Sequence, residues 1–505
     1  MAWGAPRGVD DLVTKLRENK TADTMCILST RRFGPADAVA FSTALACNTS
    51  LLELLASGHP LGAAGAAAFG EALSRNTTLR SLCVGDNTFG DEGVVALVEG
   101  LRHNNGLVVL DLEYKSVSAG DALGALLKSH PTLADLRLGR NQLGEPGIGA
   151  LSLGLRRSST LLRLDLSSNA LDTAAAEAIG RALCPPPPSP PTPSGDTDHG
   201  GAEGQAGPPP LEFIDVSKNP LGDEGGAALL RAFASGVGAS LTLRGLKMAE
   251  AGLGIATAAA LADAIAPTGT SSGAASVVSE DGEDGEGGGG GGGGGSENSL
   301  VSSSNARALP LLKTLDMSKN ELGAGGAARV GDALSRGGAP QLESLSMGYN
   351  GVGDEGAAAL GRSAHAGLRV LDLSGNDLSG EGIKAVLSSR GLREAKLFHN
   401  ACGDEGVPMV LEALISGGVL ETLDLGANGI TGIGFDNLLP GLTSCSSLKT
   451  LEVGANSNDD RAEAAVRLSQ ANNPGLDIAF RRGGEAMEGS GAPLAAGLGS
   501  PGPSD

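Results

Sequence analysis

LRSLCVGDNTFGDEGVVALVEGLRHNNG, residues 79–106, reads as one structural unit. Its first stretch carries apolar Leu79, Leu82 and Val84 with short or polar residues between them. The alternation around Leu82 and Val84 is that of a short strand with one buried face. Asn87 falls where the chain must turn. Its side chain is suited to backbone groups of its own and the neighbouring turn, which stacking would leave dry. Phe89 is expected to fill the core beneath that turn. Gly90-Asp91-Glu92-Gly93 opens the second half: an Asp there can accept from the orphan N–H groups of its helix, and the Glu suits the positive end of the dipole. Val94, Leu97, Val98 and Leu101 follow at helical spacing. The unit is strand, turn, helix, turn.

The phrase returns as LADLRLGRNQLGEPG at Leu133, LEFIDVSKNPLGDEG at Leu211, LESLSMGYNGVGDEG at Leu342, LREAKLFHNACGDEG at Leu392 and LETLDLGANGITGIG at Leu420. A unit this short cannot bury its own apolar face, so a fixed period implies a stacked array. Aligned on the first leucine, about 14 units begin near Asp23, Leu51, Leu79, Leu107, Leu133, Leu161, Leu211, Leu243, Leu312, Leu342, Leu368, Leu392, Leu420 and Leu448. A strand over 476–480 is expected to close the far end. The turn asparagine recurs at Asn141, Asn169, Asn219, Asn320, Asn350, Asn376, Asn400, Asn428 and Asn456, while Arg31, His59, Lys115 and Ala251 replace it and predict differently satisfied turns. The expected fold class is α/β: a horseshoe-shaped solenoid, residues 23–480, with a curved parallel sheet on the concave face and helices on the convex face. Residues 1–22 form an N-terminal capping segment with a short helix, Asp10–Glu18.

The Leu-x-x-Leu-x-Leu-x-x-Asn phrase followed by Gly-Asp-Glu-Gly resembles the ribonuclease-inhibitor class of leucine-rich repeats. That class includes ribonuclease inhibitor, the Ran GTPase-activating protein and the repeat regions of NOD-like receptors. The resemblance covers residues 23–480 apart from two inserts, and is specific for fold rather than function.

Two segments interrupt the period. Residues 184–210 are Pro-rich with PxxP spacings, and residues 267–310 are Gly/Ser-rich with an acidic patch. Neither has the apolar content to fold alone, and both are expected as disordered inserts, as is the tail over 481–505.

A net charge of -21 argues against a nucleic-acid backbone or an anionic membrane and suits a basic protein partner. The six cysteines form no CxxC pair or zinc-spaced cluster. The N-terminal stretch lacks the apolar core of a signal peptide, and no apolar run is long enough to span a membrane. A cytoplasmic or nuclear location is expected. The sequence contains no phosphate loop, HExxH or GxSxG. The GDEG copies lack calcium-loop spacing. No catalytic constellation, metal site or cofactor is expected.

The residue between the two core positions of each strand points away from the core. These form a column: Ile27, Leu55, Cys83, Asp111, Arg137, Asp165, Asp215, Lys247, Asp316, Ser346, Asp372, Lys396, Asp424 and Glu452, half of them acidic. The next outward position is mostly Ser or Gly, with Glu113 and Phe398 as exceptions. Tyr114, Arg140, Lys218, Lys319, Tyr349 and His399 flank the column, and Tyr114 and Tyr349 are the chain's two tyrosines. Aromatic anchors of this kind are favoured at interfaces. The expected partner site comprises Asp111, Tyr114, Arg137, Asp165, Asp215, Lys247, Asp316, Tyr349, Asp372, Lys396, Phe398, His399, Asp424 and Glu452. A competing account of the aspartates is local turn bonding. The expected function is a non-catalytic scaffold that binds a partner protein on this acidic concave face. The alternative, which the resemblance implies, is GTPase activation toward a Ran-type small GTPase.

Overall fold

The computed structural model describes residues 7–185, 209–235, 237–265, 309–363, 367–417 and 419–480. Among these, fifteen strands form one parallel sheet in which neighbours in space are neighbours in sequence. Consecutive strands are joined through an α-helix. Packed helices sit about 8–10 Å apart and hydrogen-bonded strands about 4.8 Å apart. The helix layer is therefore the longer, outer arc, and the sheet lines the concave side.

The apolar positions of the repeat build the core as expected. Leu82, Val84, Leu110, Leu112, Leu136 and Leu138 are fully buried, together with helix residues Val94, Leu97 and Leu101. Each buried leucine contributes about 1.5–3 kcal/mol. Phe89 is 2% exposed beneath its turn. The helix Asp10–Arg17 buries Leu12, Val13 and Leu16 at one end. At the other end the strand Asp477–Ala479 pairs with Thr450–Glu452.

The sheet continues across both interruptions of the period, with Arg163 opposite Phe213 and Gly245 opposite Thr314. Of the expected inserts, only 184–185, 209–210 and 309–310 fall within the described residues, and Cys184 is buried. The tail over 481–505 lies outside them.

The turn asparagines form a ladder between repeats. Asn219 Nδ2 donates to Val216 O and Ser217 O in its own turn and to Leu166 O in the preceding repeat. Its Oδ1 accepts from the backbone N–H groups of Asn169 and Leu171. Asn141, Asn320, Asn376 and Asn428 repeat the pattern of donation across the repeat boundary. Asn87 does not join it: that residue is exposed. The next repeat has Lys115, which is 1% exposed. Lys115 Nζ donates to Glu113 O and reaches past the Asn87 turn to Ser57 Oγ, 2.9 Å away. Two other substituted turns are also differently satisfied, whereas Ala251 keeps the ladder's N–H bond to Asn320 Oδ1. Arg31 bonds Asp11 and Gly8 O of the capping segment, and His59 Nε2 meets Ile27 O.

A second ladder, absent from the sequence reading, runs along the helix-to-strand turns. Asn104 Nδ2 donates to Leu73 O and Asn76 O of the preceding repeat, while its Oδ1 accepts from Gly106 and Leu107. Asn76 does the same one repeat earlier.

The GDEG aspartates correct the expectation that each caps its own helix. The helices Gly90–Leu101 and Gly222–Ala234 begin at their first Gly with no side-chain cap. Asp91 accepts instead from the N–H groups of Ser118 and Ala119, just before the next helix. Asp223 accepts from Gly254, Ala256 and Thr257 at the start of the next helix, Ile255–Ile265. Asp354 and Asp404 bond Ser379 and Thr431, the N-cap residues of the following helices. The aspartate thus caps in trans, because stacking places it beside the next helix's orphan donors.

Candidate functional site: the concave face

Sheet register brings the expected column together. Cα partners run Leu55, Cys83, Asp111, Arg137, Asp165, Asp215, Lys247, Asp316, Ser346, Asp372, Lys396, Asp424 and Glu452. One member is corrected. Cys26, not Ile27, stands opposite Leu55. Ile27 is 2% exposed and belongs to the core, because Met25 and Ile27 share the inward phase of the first strand.

The aspartates are half-buried, and each holds its own turn. One carboxylate oxygen accepts the N–H two residues on, from Glu113 to Asp111, Ser167 to Asp165 and Ser217 to Asp215. Ser318 to Asp316, Ser374 to Asp372 and Gly426 to Asp424 complete the series. Local turn bonding therefore accounts for the recurrence of Asp and uses one oxygen of each carboxylate; the other is met by Ser346 Oγ in Asp372 and lies 3.9 Å from Arg137 in Asp111.

The charges of the column compensate one another only in part. Burial pushes the Asp215 carboxyl above its usual range, and neighbouring Asp165 adds to the rise against the pull of its hydrogen bonds and Lys247. Burial likewise raises Asp424, reinforced by Glu452 and Asp372. Glu113 is raised by burial and by Asp111 and Asp165, despite an ion pair with Arg140 at 3.4 Å. Arg137 is engaged by Asp135 at 3.0 Å and lies 3.9 Å from Asp111. Lys396 pairs with Glu394 at 3.3 Å.

The flanking residues occupy a rim of left-handed backbone. Tyr114, Arg140, Ser168, Lys218, Glu250, Lys319, Tyr349, His399, Ala427 and Ala455 all have φ between 52° and 57°. Such a conformation costs a side-chain-bearing residue about 1 kcal/mol relative to glycine. The expected aromatic anchors are open to solvent: Tyr114 is 60%, Tyr349 42% and Phe398 37% exposed. Tyr349 and His399 have ring centroids 6.1 Å apart, and His399 and Phe398 6.2 Å. Tyr114 stands apart from this group, several repeats away.

A second outward column, two residues before the first, was missed. It contains Glu53, Asp135, Arg163, Phe213 and Glu394. The signal was available, since strand alternation sends both positions to one face. Arg163 and Lys247 flank the Phe213 ring, with Cζ 5.4 Å and Nζ 5.6 Å from its centroid.

Among the described residues, no group of three or more His, Cys, Asp or Glu is placed to hold a metal ion. No helix among them is long and apolar enough to cross a membrane.

No curated protein matches this sequence. Among solved structures, the chain is similar to an internalin from Listeria monocytogenes, at 14% identity and TM-score 0.43, over 87% of this chain and 94% of that one. It is also similar to a chain of the yeast Rad7–Elc1 complex, at 15% identity and TM-score 0.42, over 84% and 86% of the two chains. A chain of the mouse RP105/MD-1 complex gives 15% identity and TM-score 0.44 over 91% and 71%. A family model described as Leucine Rich repeat matches residues 75–98, 157–180, 208–230, 308–330, 340–361 and 368–387. These six segments match as leucine-rich repeats, and the same strand, turn and helix recur through the one parallel sheet that contains them.

Proposed function

We propose that the protein is a non-catalytic interaction scaffold of the ribonuclease-inhibitor class, and that its concave face docks a basic segment of a partner protein. The observation that carries this reading is the column of carboxylates held on one surface by sheet register. Asp215 and Asp424 are raised chiefly by burial, and like-charged neighbours add to the rise while Lys247 and Lys396 oppose it. A cationic partner relieves that repulsion, and the field it presents favours encounter and register with positively charged surfaces. The α-helix in every unit supports the subclass. The six free cysteines suit a reducing compartment, cytoplasmic or nuclear.

The test compares two charge reversals of equal size. Asp165→Lys/Asp215→Lys/Asp316→Lys alters the concave face, and Glu99→Lys/Glu177→Lys/Glu224→Lys alters exposed positions on the helices. A partner captured by the native chain should be lost by the first variant and kept by the second. The opposite pattern overturns the proposal. GTPase activation rests on resemblance alone and is removed by an unchanged rate of GTP hydrolysis by a Ran-type GTPase.

A further inference from the structure

Three outward aromatics of the concave sheet, Phe213, Tyr349 and Phe398, each lie across a glycine of the following repeat. A Cβ at Gly245 would collide with the Phe213 ring, one at Gly375 with the Tyr349 ring, and one at Gly426 with the Phe398 ring. Gly375 occupies the rim position between Tyr349 and His399, so the two rings approach each other over its bare backbone. Tyr349, His399 and Phe398 form one exposed platform across successive repeats.

The platform adjoins carboxylate. The Cβ position of Gly426 is 2.8 Å from Phe398 Cδ2 and 3.1 Å from Asp424 Oδ1, so the ring edge and the carboxylate converge on one point. Elsewhere on the same sheet, the comparable Phe213 ring is already served by the chain's own Arg163 and Lys247. Among the described residues, no such cation of the chain lies over Tyr349 or Phe398. Lys396, between Asp372 and Asp424 in the column, is turned to Glu394.

Resting on the reading of the concave face as the docking surface, we propose that the Tyr349–Phe398–His399 platform is an arginine-selective subsite for an extended basic segment of the partner. A guanidinium plane stacks on the aromatic faces, and its fork of donors reaches the Asp424 carboxylate. An ammonium group satisfies the charge and lacks the stacking.

The test uses fluorescein-labelled hepta-arginine and hepta-lysine with the full chain, read by fluorescence anisotropy. The acidic protein attracts both peptides, so the readout is their affinity ratio. Hepta-arginine should bind about threefold or more tighter than hepta-lysine. Tyr349→Gly/Phe398→Ser, which places in these repeats residues that neighbouring repeats carry, should bring the ratio to near one while hepta-lysine binding holds. Tyr349→Leu/Phe398→Leu, which keeps apolar bulk without a π face, should do the same. A native ratio near one overturns the subsite, as does a preference that survives in either double variant. Asp165→Lys/Asp215→Lys/Asp316→Lys separates the two levels. Weakening of both peptides together supports the docking face even if the arginine preference is absent, and no weakening of either sinks the docking face itself.

Discussion

Replacing Asp223 with Ala should loosen the helix after the one that carries it. Asp223 Oδ1 accepts from Gly254 N at 2.9 Å and Thr257 N at 2.7 Å, and Oδ2 from Ala256 N at 2.9 Å. These are the orphan donors of the helix Ile255–Ile265, whose first residue follows Gly254, a residue with no side chain to cap it. Loss of an N-cap costs about 0.5–2 kcal/mol. With three donors released at a half-buried site, the cost should lie near the top of that range, about 2 kcal/mol. Burial raises the carboxyl's pKa, but the hydrogen bonds from Thr257, Ala256 and Gly254 outweigh it and hold the group below its ordinary value of 3.8. The folded pKa is therefore depressed. The stabilisation is complete above that ordinary value and is lost as pH falls through the folded one. Native-state hydrogen exchange near neutral pH is the suitable assay, because a long repeat array need not unfold in two states. Amides of Ala256 and Thr257 should lose about 30-fold of protection, the equivalent of 2 kcal/mol. If the loss falls instead on Gly225 and Gly226 in the helix Gly222–Ala234, the aspartate caps its own helix and the trans-capping argument is wrong.

The two asparagine environments predict opposite outcomes. Asn219→Ala strands buried backbone groups of two repeats and should cost about 3 kcal/mol of local protection in native-state hydrogen exchange, whereas Asn87→Ala, on an exposed residue, should stay within about 0.5 kcal/mol. The thiols should separate into classes toward a disulfide reagent at pH 8. Exposed Cys26 and Cys47 react promptly, while Cys83, Cys184 and Cys402, buried and pushed up to about 11, require opening of the fold. Rapid reaction of all six would contradict the burial. Binding of a cationic peptide should begin to weaken at a higher pH than ordinary carboxylates dictate, because burial raises Asp215 and Asp424 and the peptide favours their charged forms. The peptide lowers those pKa values, so binding near the midpoint should release protons, measurable by calorimetry in buffers of different ionisation heat; proton uptake would refute the sign.

The fold was legible because the core leucines repeat with a period too regular for any other architecture. Strand and helix positions then followed from alternation and helical spacing, as at Leu82, Val84, Val94 and Leu97. Relations between repeats were less legible. Capping rules are local, so Asp91 was assigned to its own helix, although stacking sets it beside Ser118 and Ala119. Asn87 has the spelling of a ladder residue, yet the long side chain of Lys115 in the next repeat bridges to Ser57 in the previous one. The first strand lacks a leading leucine, so its phase slipped by one residue and Ile27 took the place of Cys26. On the concave face the acidic column was readable from one position per strand. Phe213 lay two residues upstream on the same face, and the lodging of rings over Gly245, Gly375 and Gly426 depends on register across neighbouring repeats.

Lysine acetylation footprinting of the chain with and without a captured partner tests the central claim most directly, because lysines stand on both faces. Lys218, Lys247, Lys319 and Lys396 are exposed along the concave column and its rim, and Lys15 and Lys128 are exposed on helices. A partner on the concave face should protect the first group and leave Lys15 and Lys128 as reactive as in the free chain. Protection of Lys128 with undiminished labelling of Lys218, Lys247 and Lys319 would place the partner on the helices and contradict the account.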